Sequence, residues 1–326
     1  MSRFINPFTD VGFKRIFGQE VSKPLLLDFL NHLLEGERVI TDLTLLDKEL
    51  PGVYEGDRST IYDIYCQTDT GEYIIVEMQN RYQHTFKQRS VYYAAQAIAR
   101  QGERGSQWGY DVKAVYVVSF LNFQLKDIST DFRTDVGLLD MRHHTLFTDT
   151  LRLIYLQLPL FTKEADECDN DFERWIYVLK NMETLNRLPF AAQSAVFQKL
   201  ASITDVASLS KDDRMKYDES LRKFRDTLVV MQTERMEGHA QGLAEGHAQG
   251  LAEGRAEGRE EGREEGRAEG REEGRAEGRE EGREEGREEG RAEAVLAHAR
   301  LMKGKGYPIA DIAEITGLTS EQVAQL

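Results

Sequence analysis

The sequence has little cysteine, little proline and no long apolar stretch, and each shortage excludes a class of protein. Only two of its 326 residues are cysteines, and six are prolines. Cys66 and Cys168 supply neither a disulfide framework nor a cysteine-based metal site. No segment approaches the ~20 apolar residues of a membrane helix, and the N-terminus lacks the apolar stretch of a signal peptide. We therefore expect a cytoplasmic protein.

Negative charge is in excess but unevenly spread. The formal net charge is −15. Residues 237–293 contain 19 Glu and 10 Arg and carry −9, which leaves −6 for the rest of the chain. An acidic chain has no overall attraction for nucleic acid. A nucleic-acid-binding function would therefore have to depend on a local basic patch.

Composition divides the chain into a mixed segment, a helical segment, a repeat and a tail. We predict domains at residues 1–162, 163–236, 237–293 and 294–326. In the first, hydrophobic periodicity predicts the order α-β-β-β-α-β with an extra strand pair, hence an α/β core. Its expected helices span residues 24–34 and 81–101, and its expected strands span residues 39–46, 61–68, 73–79, 114–120, 144–147 and 151–158. A helical extension with helices over residues 172–182, 189–200 and 211–235 should follow.

The repeat places glycine at every fourth position from Gly238 to Gly290, in units such as GREE, GRAE and GLAE. Each glycine costs a helix about 1 kcal/mol relative to alanine, whereas the other positions are strong helix formers. Two interpretations are open, a solvated and partly helical spacer or a long helix whose glycine stripe admits a second helix. We favour the spacer because nothing apolar lines the stripe, and homo-oligomerisation through the repeat and tail is the alternative.

The tail should form short helices over residues 294–302, 309–315 and 320–326, with a cap at Thr319 or Ser320. The outline is similar to a helix-turn-helix. The last helix has no basic residue, so a small helical capping or dimer module is the better interpretation.

Two acids stand on neighbouring strands that are otherwise apolar. Asp63 should share a strand face with Ile61 and Tyr65, and a hairpin would bring it beside Glu77. Carboxylates in such strands are unfavourable unless something neutralises them, and a divalent cation such as Mg²⁺ does so. In the alternative interpretation, Asp63 faces solvent and Glu77 pairs with a nearby arginine.

The motifs around these acids resemble a known family. The segments FTDVGFKRIFG (residues 8–18), IVEMQ (75–79), KQRSVYYAA (87–95) and LQLP (156–159) are similar to the recombination-promoting nucleases, which are PD-(D/E)XK nuclease-like transposases. The resemblance covers residues 4–161. It implies a restriction-endonuclease-like αβββαβ core, a DNA substrate and a bound Mg²⁺ or Mn²⁺.

Carried over by position, the resemblance makes Asp63 and Glu77 metal-binding carboxylates, with the backbone carbonyl of Met78 as a further ligand. Gln79 stands where the superfamily motif has lysine. Glutamine can orient a water molecule but supplies no positive charge. An active site would therefore need another base to stabilise the phosphate in the transition state, and Lys14 and Arg89 are the candidates.

Two helical pairs border this predicted site. Asp10 and Lys14 lie one turn apart, and the resemblance makes them a third acid and a phosphate-contacting lysine, whereas the alternative is a local salt bridge. Arg89 and Tyr93 are spaced i,i+4 and are similar to the Gln-x-x-x-Tyr feature of related nucleases, with a plain surface stripe as the equal alternative. The predicted DNA-binding residues are Arg58, Arg81, Lys87, Tyr93 and Arg100; His84 and Arg104 belong to the same basic patch.

These observations favour a metal-dependent DNA endonuclease of low sequence specificity, acting in recombination, transposition or phage defence. The residues themselves indicate phosphodiester hydrolysis, and the resemblance implies the biology. Two further hypotheses are open: a DNA-binding module that has lost catalysis, since Gln79 replaces lysine, and an assembly or regulatory role for the C-terminal part.

Overall fold

The computed structural model describes residues 2–50, 59–102, 109–125, 128, 130–191 and 193–326. Arg58 and Arg104 of the predicted basic patch lie outside these residues. The chain forms two compact units, Met1–Arg235 and Met236–Leu326. No helix within the described ranges is both long and apolar enough to cross a membrane.

A mixed six-stranded sheet organises the first unit. The strands are β1 Leu43–Leu45, β2 Glu49–Leu50, β3 Thr60–Ile61, β4 Ile64–Thr68, β5 Tyr73–Gln79, β6 Val115–Leu121, β7 Arg133–Leu139 and β8 Leu146–Gln157. The sheet order is β1-β4-β5-β6-β8-β7, and β2 and β3 form a separate two-stranded ribbon. The central strands β5, β6 and β8 are parallel, and the other strands of the sheet pair antiparallel.

Helices cover both faces of this sheet, as in an α/β restriction-endonuclease-like core. The helices are α1 Asp10–Phe17, α2 Lys23–Leu33, α3 Phe86–Ala99, α4 Asp171–Asn181 and α5 Ala195–Thr204. Alternate residues of the strands point to opposite faces. Val76 and Val118 therefore join α1, α2, α4 and α5 in one core around Trp175, whereas Ile75 and Val117 pack under α3 in a second core.

Several predicted elements differ from the observed ones. The predicted strand over residues 61–68 is interrupted at residues 62 and 63, because Tyr62 turns into the core under α3. The predicted helix over residues 81–101 begins only at Phe86, after a loop in which the Tyr82 ring packs on Phe123.

The far edge of the sheet also differs from the prediction. The strands expected at residues 144–147 and 151–158 are one long strand, β8. Strand β7 was not predicted, because its exposed side chains and Gly137 give no alternating pattern. The strand expected over residues 39–46 is reduced to β1, and the helix expected over residues 189–200 is displaced to α5.

The second unit consists of the repeat and the tail. Helix α6, Lys211–Gly304, includes the whole glycine repeat, whose residues are exposed. It also includes the helices expected over residues 211–235 and 294–302. Helices α7 Ile309–Thr316 and α8 Ser320–Gln325 follow, with Thr319 as the α8 N-cap. They enclose a small core of Ala299, Met302, Ile312 and Val323.

Candidate active site

Asp63 and Glu77 lie opposite each other at one end of the β4–β5 pair. These strands are antiparallel with Ile64 opposite Val76. Asp63, directly before β4, therefore comes opposite Glu77 near the end of β5. The prediction that Asp63 lies within a strand is wrong, because β3 ends at Ile61 and β4 begins at Ile64.

Reciprocal hydrogen bonds join the two acids. The backbone N–H of Asp63 donates to Glu77 Oε1 at 3.1 Å. The backbone N–H of Met78, next to Glu77, donates to Asp63 Oδ2 at 2.9 Å. Each carboxyl group thus accepts a hydrogen bond from the backbone at or next to the other acid, and the two groups lie in the same small region rather than on opposite sides of the sheet.

Burial disfavours the charged form of both acids. Glu77 is 6% exposed. Burial, followed by the charge of Asp63, raises the pKa of Glu77 to about 8. Burial also raises the pKa of Asp63, although its hydrogen bond from Met78 and the charge of Lys14 oppose the shift. Two buried acids that repel each other form a site that a cation would stabilise.

Gln79 lies beside this pair without contributing charge. Its side-chain Nε2 donates to Glu77 Oε2 at 3.3 Å. It shares a strand face with Glu77, two residues along β5. The position therefore holds an amide that can orient a carboxylate or a water molecule, and the positive charge must come from other elements.

Two lysines flank Asp63. Lys14 of α1 forms an ion pair with Asp10. Burial lowers the pKa of Lys14, but the hydrogen bond to Asp10 and the charges of Asp10 and Asp63 outweigh it, so the pKa is raised. Lys48 is the second lysine, and its charge lowers the pKa of Asp63.

Sequence reasoning did not find Lys48. Its backbone carbonyl accepts a hydrogen bond from the Tyr62 N–H at 2.9 Å, so the β2–β3 ribbon holds it beside Asp63. The two residues are 15 positions apart in the sequence, and no motif connects them. Only the pairing of the ribbon could have identified this lysine.

Arg89 approaches the acids from α3. Its guanidinium group lies 5.6 Å from the Phe86 ring centre and 5.9 Å from that of Tyr93. Its Nη1 donates to Gln83 at 2.7 Å. Its Nη2 is buried and has no hydrogen-bond partner among the described residues. Since its charge lowers the pKa of Glu77, Arg89 lies near the acidic pair, and the N–H groups of its Nη2 have no partner among the described residues.

Of the other predicted DNA-binding residues, Tyr93 lies near the acids, since burial and then the charges of Glu77 and Asp63 raise its pKa. The contacts of Arg81, Arg100 and Lys87 involve other groups. Arg81 pairs with Glu234 at 2.7 Å. Arg100 follows Arg89 by 11 residues, about 16 Å along a helix. Its charge opposes the rise that burial causes in the pKa of Tyr62 and Tyr65. The charge of Lys87 opposes the rise that burial causes in the pKa of Tyr155. The backbone carbonyl of Tyr93 accepts from the Tyr62 hydroxyl at 3.0 Å. Their role in DNA binding stays a prediction.

The donor set fits a hard divalent cation that keeps most of its water. Across the described ranges, no group of three or more His, Cys, Asp or Glu side chains could hold a metal ion. Mg²⁺, however, is commonly held by one or two carboxylates, with water and phosphate completing its shell. Asp63 and Glu77 supply two carboxylates, and the Met78 carbonyl could add a third oxygen.

Comparisons with known proteins give the family of the chain. No curated protein and no solved structure gave a match. A family model, that of the PD-(D/E)XK nuclease family transposases, matches residues 7–234. The matched range includes the whole sheet, the acidic pair and the helices that border it. The chain therefore belongs to the PD-(D/E)XK nuclease family transposases.

Proposed function

We propose that the chain is a divalent-metal-dependent DNA endonuclease of low sequence specificity. The observation that supports this most directly is the buried pair of Asp63 and Glu77, two acids joined by reciprocal hydrogen bonds at one end of the sheet. Such a pair destabilises a folded protein unless a cation binds there. The family of the chain makes DNA the expected substrate.

In this proposal Asp63, Glu77 and the Met78 carbonyl hold Mg²⁺ or Mn²⁺, and Asp10 stands at the edge of the site. A divalent cation supplies Lewis acidity, which lowers the pKa of a coordinated water molecule and neutralises phosphate charge. Gln79 orients the attacking water through its amide.

Positive charge near the phosphate comes from two side chains on different helices. Lys14 on α1 lies on the Asp63 side, and Arg89 on α3 lies on the Glu77 side with a free donor. Together they would stabilise the negative charge that develops on the phosphate, which Gln79 cannot do. Contacts of this kind bind phosphates and do not read bases, so they favour low sequence specificity. A role in recombination, transposition or phage defence is consistent with such cleavage.

A plasmid cleavage assay tests the proposal. Purified full-length protein should nick and linearise supercoiled plasmid in Mg²⁺ and not in EDTA. Asp63→Asn and Glu77→Gln should each slow cleavage by more than about 100-fold, because each removes a charged ligand and keeps the shape of the side chain. The matched control is Asp149→Asn on β8, an acid whose side chain is 71% exposed, and it should cleave like the unaltered protein.

The same assay separates a second candidate function, a DNA-binding module without catalysis. Gln79 favours this candidate, since it places no positive charge beside Glu77. Retention of DNA by the unaltered protein with no cleavage in Mg²⁺ or Mn²⁺ would select it. Equal cleavage by the unaltered protein and both site variants would indicate a contaminating nuclease and contradict the endonuclease assignment.

A further inference from the structure

A row of polar side chains crosses the sheet at the level of Glu77. Glu77 on β5 lies beside Ser119 on β6, which lies beside Tyr155 on β8, which in turn lies beside Thr134 on β7. Residues paired in this way share a face, here the one under α3. The row therefore begins at the acidic pair and continues beneath the helix that carries Arg89.

Ser119 is out of place in its own strand. The other β6 residues on this face are apolar: Val115, Val117 and Leu121 are all fully buried. Ser119 is 1% exposed. Its hydroxyl is buried and has no hydrogen-bond partner in the part of the chain that the structure describes. Buried hydroxyl groups nearly always have a partner, so the polar groups on the strands beside Ser119 are its candidate partners.

The neighbours of Ser119 narrow the choice of that partner. On the β8 side, the Tyr155 hydroxyl is already hydrogen-bonded to Ser90 Oγ at 2.6 Å. On the β5 side is Glu77, whose carboxylate has room for more than the two donors it now meets, the Asp63 N–H and Gln79. Adjacent strands are about 4.8 Å apart, which a serine and a glutamate can span directly or through one water molecule.

We propose that Ser119 is a positioning residue for Glu77, and that its hydroxyl donates a hydrogen bond to the Glu77 carboxylate when that carboxylate holds a divalent cation. This inference rests on the proposed function. Carboxylates that bind metal ions are themselves held by hydrogen bonds, which fix their orientation. Ser119 would do this from β6 while the opposite side of Glu77 faces Asp63.

The test compares Ser119→Ala with Thr134→Val in full-length protein. Thr134 is a matched control, because its hydroxyl is also buried without a partner among the described residues, in the same row but two strands further from Glu77. Ser119→Ala should raise the Mg²⁺ concentration for half-maximal plasmid cleavage and lower kcat by about tenfold, with the KM for DNA unchanged. Thr134→Val should change none of these values. Ser119→Thr, which keeps the hydroxyl, should restore most of the metal affinity.

A second readout does not depend on cleavage. Calorimetric titration with Mn²⁺ should show a site in the unaltered protein that is absent in Glu77→Gln. The heat measured with Glu77→Gln also gives the background from Mn²⁺ that binds to the glutamates of the repeat. Ser119→Ala should weaken this site about tenfold. Unchanged affinity and kcat in Ser119→Ala, or an equal loss in Thr134→Val, would overturn the role of Ser119 alone. A titration in which Glu77→Gln equals the unaltered protein would overturn the proposed metal site, and the role of Ser119 with it.

Discussion

The two units of this chain differ in whether their charged side chains are buried or exposed. In the first unit, a large apolar core surrounds a sheet, and Glu77 is an acid buried beside a second acid. In the second unit, the repeat of α6 exposes its glutamates and arginines to solvent, and the buried core comprises four residues. Interactions between exposed charges contribute little to the free energy of folding, whereas repulsion between buried like charges destabilises the fold considerably. The difference supports the proposal that the acidic pair lowers stability because it serves the proposed function.

The largest expected effect concerns Glu77 and pH. Burial raises the pKa of this carboxyl to about 8, whereas an unfolded chain releases the same proton near pH 4.3. Between these pH values the unfolded state binds fewer protons, so stability falls as pH rises. In EDTA, the melting temperature of the first unit should therefore fall between about pH 5 and pH 8. Glu77→Gln should remove most of this fall and melt about 5 °C higher at pH 8.

The measurement is thermal unfolding followed by tryptophan fluorescence, since Trp175 is fully buried in the core of the first unit. The control is Glu234→Gln, an exposed acid that pairs with Arg81 at the surface, which should leave the pH profile unchanged. If the melting temperature of Glu77→Gln depends on pH in the same way as that of the unaltered protein, the pKa of Glu77 is not raised in the folded state, which would contradict this prediction.

A smaller effect is expected in the repeat. A methyl group added at Gly262, Gly266 or Gly270 meets no atom within 4 Å. Replacing each glycine by alanine should stabilise the helix by about 1 kcal/mol, because alanine restricts the unfolded chain and hides more backbone. The triple variant should retain its circular-dichroism signal at 222 nm to a higher temperature, with the rate of plasmid cleavage unchanged.

The same triple variant sharpens the comparison between the units. If a second helix packs against the glycine stripe, the added methyl groups would obstruct it, and helicity or the assembled state seen by size-exclusion chromatography would fall. That outcome would contradict the interpretation of the repeat as a solvated spacer.

The division of the chain into domains at residues 162, 236 and 293 stays a prediction.

Elements with strong local signals were predictable from the sequence. Strand β5 was predicted with its observed ends, since an apolar run follows the turn at Gly71. The order α-β-β-β-α-β matches the sheet in outline, whereas the two strands expected over residues 144–147 and 151–158 are the single strand β8. Strand β7 was missed because an edge strand with exposed residues has no burial pattern to reveal it. The break at Asp63 was missed because it depends on Tyr62 packing under α3, a contact distant in sequence.

The site was predictable where one motif held its residues and unpredictable where the sheet assembled them. Glu77 and Gln79 lie on one strand, and Asp63 directly precedes its hairpin partner β4, so the expected hairpin suggested their proximity. Lys48 lies near Asp63 because a separate ribbon holds it there, and Ser119 lies beside Glu77 on a parallel strand more than 40 positions later in the sequence. Parallel neighbours and ribbon pairings carry no local sequence signal.

The most direct test of the account is a crystal of the full chain soaked in Mn²⁺, with anomalous diffraction recorded above the manganese absorption edge. We predict a peak about 2 Å from a carboxylate oxygen of Asp63 and from one of Glu77, and its disappearance in Glu77→Gln. Absence of a peak between these two side chains, with peaks only along the glutamates of the repeat, would contradict the central claim that the buried acids share one cation.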